Sequence, residues 1–494
     1  MTKQNMTGVQ RAILAVVLVP VFMSLLSISS INVILPSVQE SLNASNSVIQ
    51  WVLSGYTLAF GVLLVAGGRA GDTFGRGRLF VTGLVLFGVG SLLAGFALNG
   101  PMLVIARLIT GFGSGLLNPQ TVGFIQQFFD GPRRARAFAS FGSVVGVSVA
   151  IGPVLGGGLI ALAGQDWGWR WTFLVNVPIA IIAIIVAYRT FPRAAWEPAG
   201  PARATTKPGR PDLDPIGTVA FTLGTLLVMW TFLEIDKGGI YWAMLPVGVA
   251  ILIWWVWWER RYKRRGGAPM VDMALFRNRP YRNGALLISL YFTGSTSVWV
   301  TVAIFLQTGH GFSALTAALI GLPSAIATTV SSQIAGRYVL GAGRAMVAWG
   351  MSVTLFALGS SAFVVIGVQR WDWSIWWLLA TLSLMGVAQG FIISPNQTLS
   401  LIEVPAHVSG VAGGVMQTGQ RVGTSVGTAL ITSTLFGIAA AFSWNWAFVG
   451  AFGMIMVMVL IAMIVALVDI RGTRRAQDAV RQGHEPRMPG IPES

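Results

Sequence analysis

The residues most in need of a chemical explanation are two arginines placed inside long apolar runs. Arg107 lies within Met102–Phe128 and Arg421 within Val411–Ala440. An arginine keeps its charge, and placing one in hydrocarbon costs at least about 2.5–3.5 kcal/mol on insertion scales. Arg107 can pair with backbone carbonyls or with polar residues of the first apolar run, such as Asn32, and so control helix motion. It can also hold an anionic group of a ligand. The run around Arg421 is about 45 Å long at 1.5 Å per residue. That exceeds the hydrocarbon core, so Arg421 is expected to snorkel to the edge.

The acids are placed differently. None of the 17 Asp and Glu residues falls clearly in the middle of an apolar run. Glu234 and Asp236 come at the end of one run and Glu403 near the end of another, while Asp72, Asp130, Glu259 and Asp469 are read at run boundaries and Glu40 in a connector. A carrier that exchanges protons for cations needs a buried carboxylate whose pKa is raised by burial. Glu234 is the best remaining candidate, although its simplest reading is an exposed helix-end residue. Other catalytic chemistry has no material to work with. There is no cysteine, and His310, His407 and His484 are scattered along the chain. No nucleophile–base or metal constellation is visible, and no GxxxxGK[ST] phosphate loop occurs. An enzyme, a metal site, a bound cofactor and direct drive by ATP are therefore not expected.

Uncharged polar and aromatic residues within the runs are candidates to line a cavity. They are Ser27, Asn32, Asn118, Gln120, Gln126, Gln389, Asn396, Gln397 and Gln417, with Trp51, Tyr56, Tyr291, Phe292 and Trp299. An amide in hydrocarbon must find a partner, so it faces protein or water. Half of these are expected to bond helix to helix. A cavity of aromatic rings and amides suits bulky amphipathic or lipid-like molecules.

The elements that position these residues are membrane spans. Hydrophobic residues make up 54% of the 494 and charged residues 10%. A soluble domain carries about a quarter charged residues, so this chain lacks a water-facing surface. A helix of about 20 apolar residues crosses a bilayer, and fourteen such runs can be read. They are Ala12–Pro36, Val48–Gly67, Leu79–Leu98, Met102–Phe128, Ala137–Leu162, Trp171–Tyr188, Ile216–Glu234, Tyr241–Trp258, Asn283–Gln307, Leu315–Tyr338, Ala345–Gly367, Trp373–Leu401, Val411–Ala440 and Ala447–Val468. The first is too long for the core of a cleavable signal.

The net charge of +16 is spread over short connectors, which argues for an oriented membrane protein and against nucleic acid as a partner. Apart from Arg170, Lys237, Arg370 and the two intramembrane arginines, every Lys and Arg falls on the side of both termini. That side is then cytoplasmic. Trp167, Trp169, Trp171, Trp371, Trp373 and Trp444 fall at the opposite interface. The connector 259–282 holds Arg260, Arg261, Lys263, Arg264 and Arg265. It reads first as a topology signal, and anionic lipid headgroups are its expected partners.

An internal repeat sets the domain plan. GSGLLNPQT at Gly113–Thr121 matches QGFIISPNQT at Gln389–Thr398, and Gly142, Gly146 and Gly152 match Gly423 and Gly427 in spacing. Spans 1–6 then pair with spans 9–14, and spans 7 and 8 are an insertion. The expected units are a six-helix half (1–190), a cytoplasmic linker (191–215), two inserted spans (216–258), a basic loop (259–282), a second six-helix half (283–470) and a mobile cytoplasmic tail (471–494). Duplicated halves with a site between them are a transporter signature.

Three motifs carry a family resemblance. GRAGDTFGRGRLF after span 2 supplies Gly68, Asp72, Gly75, Arg76 and Arg78 and resembles the signature of the major facilitator superfamily, with Thr73 where a basic residue is usual. The equivalent loop Gly336–Arg344 keeps Arg337 and Arg344 but no acid. RLITGFGSG, with Arg107, Gly111 and Gly115, resembles that family's motif with an intramembrane arginine. GVSVAIGPVLGGG, with Gly146, Gly152, Pro153, Gly156 and Gly157, resembles its antiporter motif. Trp51–Leu64 and Val271–Arg282 are similar to segments of the fourteen-spanner drug:H⁺ antiporters, and the resemblance covers Ala12 to Val468.

What the resemblance implies is a monomeric carrier of the cell membrane. It would export amphipathic molecules by alternating access and draw on the proton gradient, with the Asp72 loop as a conformational latch. One departure bears on mechanism. The branch carries an acid in span 1 where this chain has Ser27. An exporter of a neutral, zwitterionic or anionic metabolite or lipid is therefore the nearest rival. Uptake by symport is a second, and the resemblance to the antiporter motif speaks against it.

Overall fold

The computed structural model describes residues 6–199, 212–234 and 238–481. Asp236, Lys237, His484, most of the linker, the last part of the tail and the side chain of Asn32 lie outside the described residues. In chain order the helices are α1 (Gly8–Ser29), α2 (Ile31–Ser41), α3 (Asn46–Phe74), α4 (Arg76–Gly95), α5 (Gly100–Phe128), α6 (Gly131–Leu174), α7 (Asn176–Thr190), α8 (Arg193–Trp196), α9 (Pro215–Leu233), α10 (Ile240–Arg264), α11 (Arg279–Ser295), α12 (Ser297–Ile304), α13 (Ala314–Leu319), α14 (Leu322–Ala342), α15 (Arg344–Trp371), α16 (Trp377–Ser400), α17 (Ser409–Ala441) and α18 (Trp444–Arg481). No strand occurs among the described residues.

Polar side chains start the helices by satisfying free N–H groups. Thr7 and Gln10 form a reciprocal capping box on α1. Ser45 caps α3, Asn99 caps α5, Asp214 caps α9 and Asn278 caps α11.

Twelve helical stretches among the described residues are long and apolar enough to cross a bilayer. One of them, Gly131–Thr190, has 60 residues. Straight, it would reach about 90 Å, or some three hydrocarbon thicknesses. Gly164 breaks it with a φ of +78°, a value that glycine adopts without penalty. The expected tenth span is interrupted between α13 and α14 and is not among the twelve. Dividing the first and counting the second is compatible with fourteen apolar runs. The first and ninth runs are each broken once more, at Ser30 and Thr296. At the C-terminus, α18 continues past Arg471, where the sequence places the start of the tail, as far as Arg481.

Small residues set the packing. A Cβ on Gly152 would overlap Ser29, and Gly156 meets Ser30 and Ile34, so α6 lies directly on α1 and α2. In the second half a Cβ on Gly427 would overlap the Thr293 carbonyl, and Gly423 meets Ser289, so α17 lies directly on α11. Each of these helices also packs on the other half. Gly146 faces Ala325 and Thr328 of α14, and Gly414 faces Leu64 and Val65 of α3. The two sets of contacts exchange when spans 1–6 are laid over spans 9–14, as duplicated halves require. Pro153 lies within α6, which runs on through it.

The inserted helices form a hairpin. Gly224 of α9 and Gly248 of α10 face each other's backbone, and α9 alone of the two packs on α3 and α17. Trp254 and Trp257 on α10 are exposed, which suits a helix facing lipid. Of the interfacial tryptophans expected, Trp167, Trp171, Trp371 and Trp373 are exposed. Trp169 is not: it is fully buried, with the Arg170 guanidinium 4.3 Å from its ring centroid.

Candidate functional site

At the end of the bundle where α1 begins and α18 ends, the Asp72 loop ties the two halves together. α3 stops at Gly75, whose φ of +101° excludes most side chains and whose missing Cβ leaves room for the backbone of Trp196. The turn sets Arg76 four residues after Asp72, and Nη2 of Arg76 lies 2.6 Å from Asp72 Oδ1. Asp72 then reaches across. Its Oδ1 and Oδ2 accept from the N–H groups of Gly410 (3.3 Å) and Val411 (3.0 Å) at the start of α17. A carboxylate at a helix N-terminus meets both free donors and the positive end of the dipole.

Arg76 donates to Ser409 Oγ at 3.0 Å, to the Ala406 carbonyl, and to Gly123 O at 2.9 Å. Gly68 has no room for a side chain because the Gly410 carbonyl lies against it. Gln126 adds a bond from α5 to Leu401 O, 3.1 Å, beside the latch. Arg78 departs from the expected set: it is exposed and makes no hydrogen bond or ion pair among the described residues.

The second half has the same device with its acid from elsewhere. Arg344 Nε lies 2.9 Å from Asp469 Oδ2, and its other nitrogens reach Asn396, Ser400 and the Pro280 carbonyl. Asp469 is on α18, far along the chain, so the loop Gly336–Arg344 alone could not reveal it.

Towards the middle of the first half sits Arg107, 1% exposed. Its Nη1 donates to Ser27 Oγ at 2.6 Å and its Nε to Val52 O at 3.0 Å. Ser27 is thus a polar partner of Arg107 on span 1, while the expected partner Asn32 has its side chain outside the described residues. The guanidinium carbon lies 4.2 Å from the Tyr56 ring centroid. Tyr56 is held in place by Ser114 Oγ at 2.7 Å and the Ser24 carbonyl at 3.1 Å.

Arg421 does not snorkel. Its guanidinium turns inward and lies 4.4 Å from the ring centroid of Phe60, which makes an edge contact with Tyr56 at 5.9 Å. The two arginines therefore flank one aromatic pair near the middle of α3.

Above this pair, away from the latch, is a cavity of about 260 Å³ lined by Gln50, Leu53, Ser54, Thr57, Arg107 and Leu233 among others. Glu234 is at its rim. It is 2% exposed and accepts from Gln50 Nε2 at 3.2 Å, so the exposed helix-end reading is corrected. The last residue of α9 brings it there, with Trp230 packing edge-on against Trp51 at 5.4 Å.

Most of the described amides read from sequence as cavity-lining are used to join helices instead. Asn118 bonds Ser24 and Ser114, Gln120 bonds Gly67 O and Leu116 O, and Asn396 bonds Gly284 O. Gln417 reaches Asn118 O at 3.5 Å across the halves, which closes the centre on the latch side. Gln397 is buried and Gln389 half-buried on α16; Tyr291, Phe292 and Trp299 lie on α11 and α12, and none of these five lines the cavity. The residues missed were Gln50, Ser54 and Thr57. Their i, i+4, i+7 spacing is a polar stripe on one face of a helix, and that pattern was available in the sequence.

Known proteins agree with this architecture. The sequence matches the family described as Major Facilitator Superfamily over residues 17–428. It is 35% identical over 438 residues to a probable actinorhodin transporter of Streptomyces coelicolor, covering 86% of this chain and 72% of that one. It is 28% identical to the multidrug efflux pump LfrA of Mycolicibacterium smegmatis, covering 86% and 80%. The fold matches the crystal structure of the human organic anion transporter MFSD10 with a TM-score of 0.66 at 15% identity, covering 93% of this chain and all of that one. A hydrogen-bonded tie between two helical halves, a cavity on its far side and a family match over most of the length lead to one conclusion: the chain belongs to the Major Facilitator Superfamily of membrane transporters.

Proposed function

We propose that the protein is a secondary active exporter of amphipathic small molecules, working by alternating access in the cytoplasmic membrane with both termini in the cytoplasm. The observation that carries this reading is that the halves are tied at the end bearing the termini while a cavity remains on the other side. Such an arrangement is one of the two states that alternating access requires. Breaking the Asp72 contacts to α17 and closing the far side produces the other. The relatives named as an antibiotic transporter and a multidrug efflux pump support export as the direction.

Proton antiport is the proposed energy source, with Glu234 as the carboxylate that exchanges it. Ser27 removes the span-1 acid of the branch, and Glu234 is buried at the cavity rim. The basic loop 259–282 is proposed to meet anionic lipid, and the monomer to be the working unit. The test is flux in proteoliposomes with and without an imposed pH gradient. Gradient-driven movement of an amphiphile is the expected result, with Glu234→Gln still binding but no longer responding to the gradient. Flux that ignores the gradient for every transported compound sinks proton coupling.

A further inference from the structure

Among the described residues no acid pairs with either of the two interior arginines. Arg107 spends two nitrogens on a hydroxyl and a carbonyl, both neutral. The guanidinium of Arg421 makes no hydrogen bond or ion pair among the described residues, and its contact is the face of Phe60. Tyr56 is the titratable group facing both, and its hydroxyl is already taken by Ser24 and Ser114. The ion pairs among the described residues use Asp72, Asp272 and Asp469, all at the latch end. Glu234 is at the rim and is engaged by Gln50.

Cations in a low-dielectric interior are costly unless a counter-charge arrives, and aromatic faces offset only part of that. Arg421 is half-buried, and none of its side-chain nitrogens is among the fully buried polar atoms that lack a partner. Its Cβ packs beside Gly61, four residues from the cavity-lining Thr57 on the same face of α3. Cavity and cation are therefore one helical turn apart.

We propose that this site takes an organic anion: an amphipathic molecule whose acidic group is held between Arg421 and Arg107 and whose apolar part lies against Leu53 and Leu233. The cavity of about 260 Å³ is slightly smaller than the roughly 300–1,000 Å³ that enclose a whole drug-sized ligand. It accommodates an acid and one or two rings, and the remainder of a larger substrate extends towards the far end. Ser27 fits this reading. A carboxylate there would neutralise Arg107 and compete with the substrate's own. The inference rests on the export reading above and narrows it to a charge class.

The experiment uses everted membrane vesicles containing the full chain and three probes. These are the anion 1-anilinonaphthalene-8-sulfonate, its neutral counterpart N-phenyl-1-naphthylamine, and the cation ethidium. The sulfonate is expected to accumulate faster than the other two. A hydrogen bond to a buried charge is worth about a 10- to 150-fold change, so Arg421→Gln is expected to lower the sulfonate-to-neutral flux ratio by a factor in that range. Arg421→Lys, which keeps the charge, is expected to retain most of the ratio and shows that the loss is not misfolding. Equal transport of anion and neutral probe, or a preference for ethidium, with a ratio indifferent to Arg421→Gln, overturns the anion site and leaves export standing. If none of the three moves in vesicles that hold folded protein, the export reading fails instead. Equilibrium binding of the sulfonate to the purified protein then decides the anion site, which stands if Arg421→Gln weakens that binding and falls if it does not.

Discussion

Replacing Asp72 by Asn tests the latch, and the structure sets the size of the effect. Asp72 and Arg76 flank the Gly75 turn, so their mutual pair persists in any state that keeps the turn. The state-dependent part is what crosses between halves, the two N–H groups of Gly410 and Val411 that end on the carboxylate. Hydrogen bonds to a charged group are worth about 1.5–3 kcal/mol. Asparagine keeps one acceptor and loses the charge, so the latched state should weaken by roughly that amount, a shift of about 10- to 150-fold in population. The chain contains no cysteine, so a single Val122→Cys reporter is clean. Val122 is fully buried against Gly413 of the other half. Its labelling by a maleimide from the termini-bearing side should accelerate by the same factor in Asp72→Asn. An unchanged labelling rate in folded, monodisperse protein refutes the reasoning.

Three further expectations follow from particular contacts. Gly152→Val drives a side chain into Ser29 and should destabilise by about 1–3 kcal/mol, as overpacking does; Gly158→Ala, where a Cβ meets nothing within 4 Å, should leave the melting temperature in detergent unmoved. Arg344→Ala removes the nearer charged partner of the buried Asp469 carboxylate, which keeps the 2.7 Å hydrogen bond from Asn283 Nδ2 and the 3.6 Å contact to the half-exposed Arg279, and should cost up to about 3–5 kcal/mol; adding Asp469→Asn should recover part of the lost thermal stability. Asp212, beside the inserted hairpin, is pushed up by burial but more strongly held down by the N–H groups of Ala268 and Asp214, the Tyr262 hydroxyl and Arg69, so its net pKa lies below the usual carboxylate value. Its stabilisation is therefore present above the unfolded value of 3.8 and lost as pH falls through the lowered one; the fluorescence of Trp258, stacked on Tyr262, should report that acid transition in the wild type and lose it in Asp212→Asn.

Much of this protein follows from one-dimensional information. Run length and charge bias between connectors are local quantities, so the helical class, the membrane setting and the spacing of the repeat could be read directly. The glycines at 152 and 427 could be read as close-packing positions because a missing side chain means the same thing in any fold. The motif around Asp72 likewise contained its own pair, since a turn joins residues four apart.

Which polar groups answer one another was settled only by the tertiary packing. Arg107 takes the hydroxyl of Ser27, Arg344 finds Asp469 from the other end of its half, and Glu234 is buried because α9 folds against α3. The same packing turned Arg421 inward onto Phe60 and drew most of the expected cavity amides into helix–helix bonds. The reason is that a span's sequence states which side chains need partners, whereas the partner is chosen by helix rotation, tilt and neighbours. Those are properties of the assembled bundle, in which each buried donor or acceptor is satisfied by whatever the adjacent helix presents.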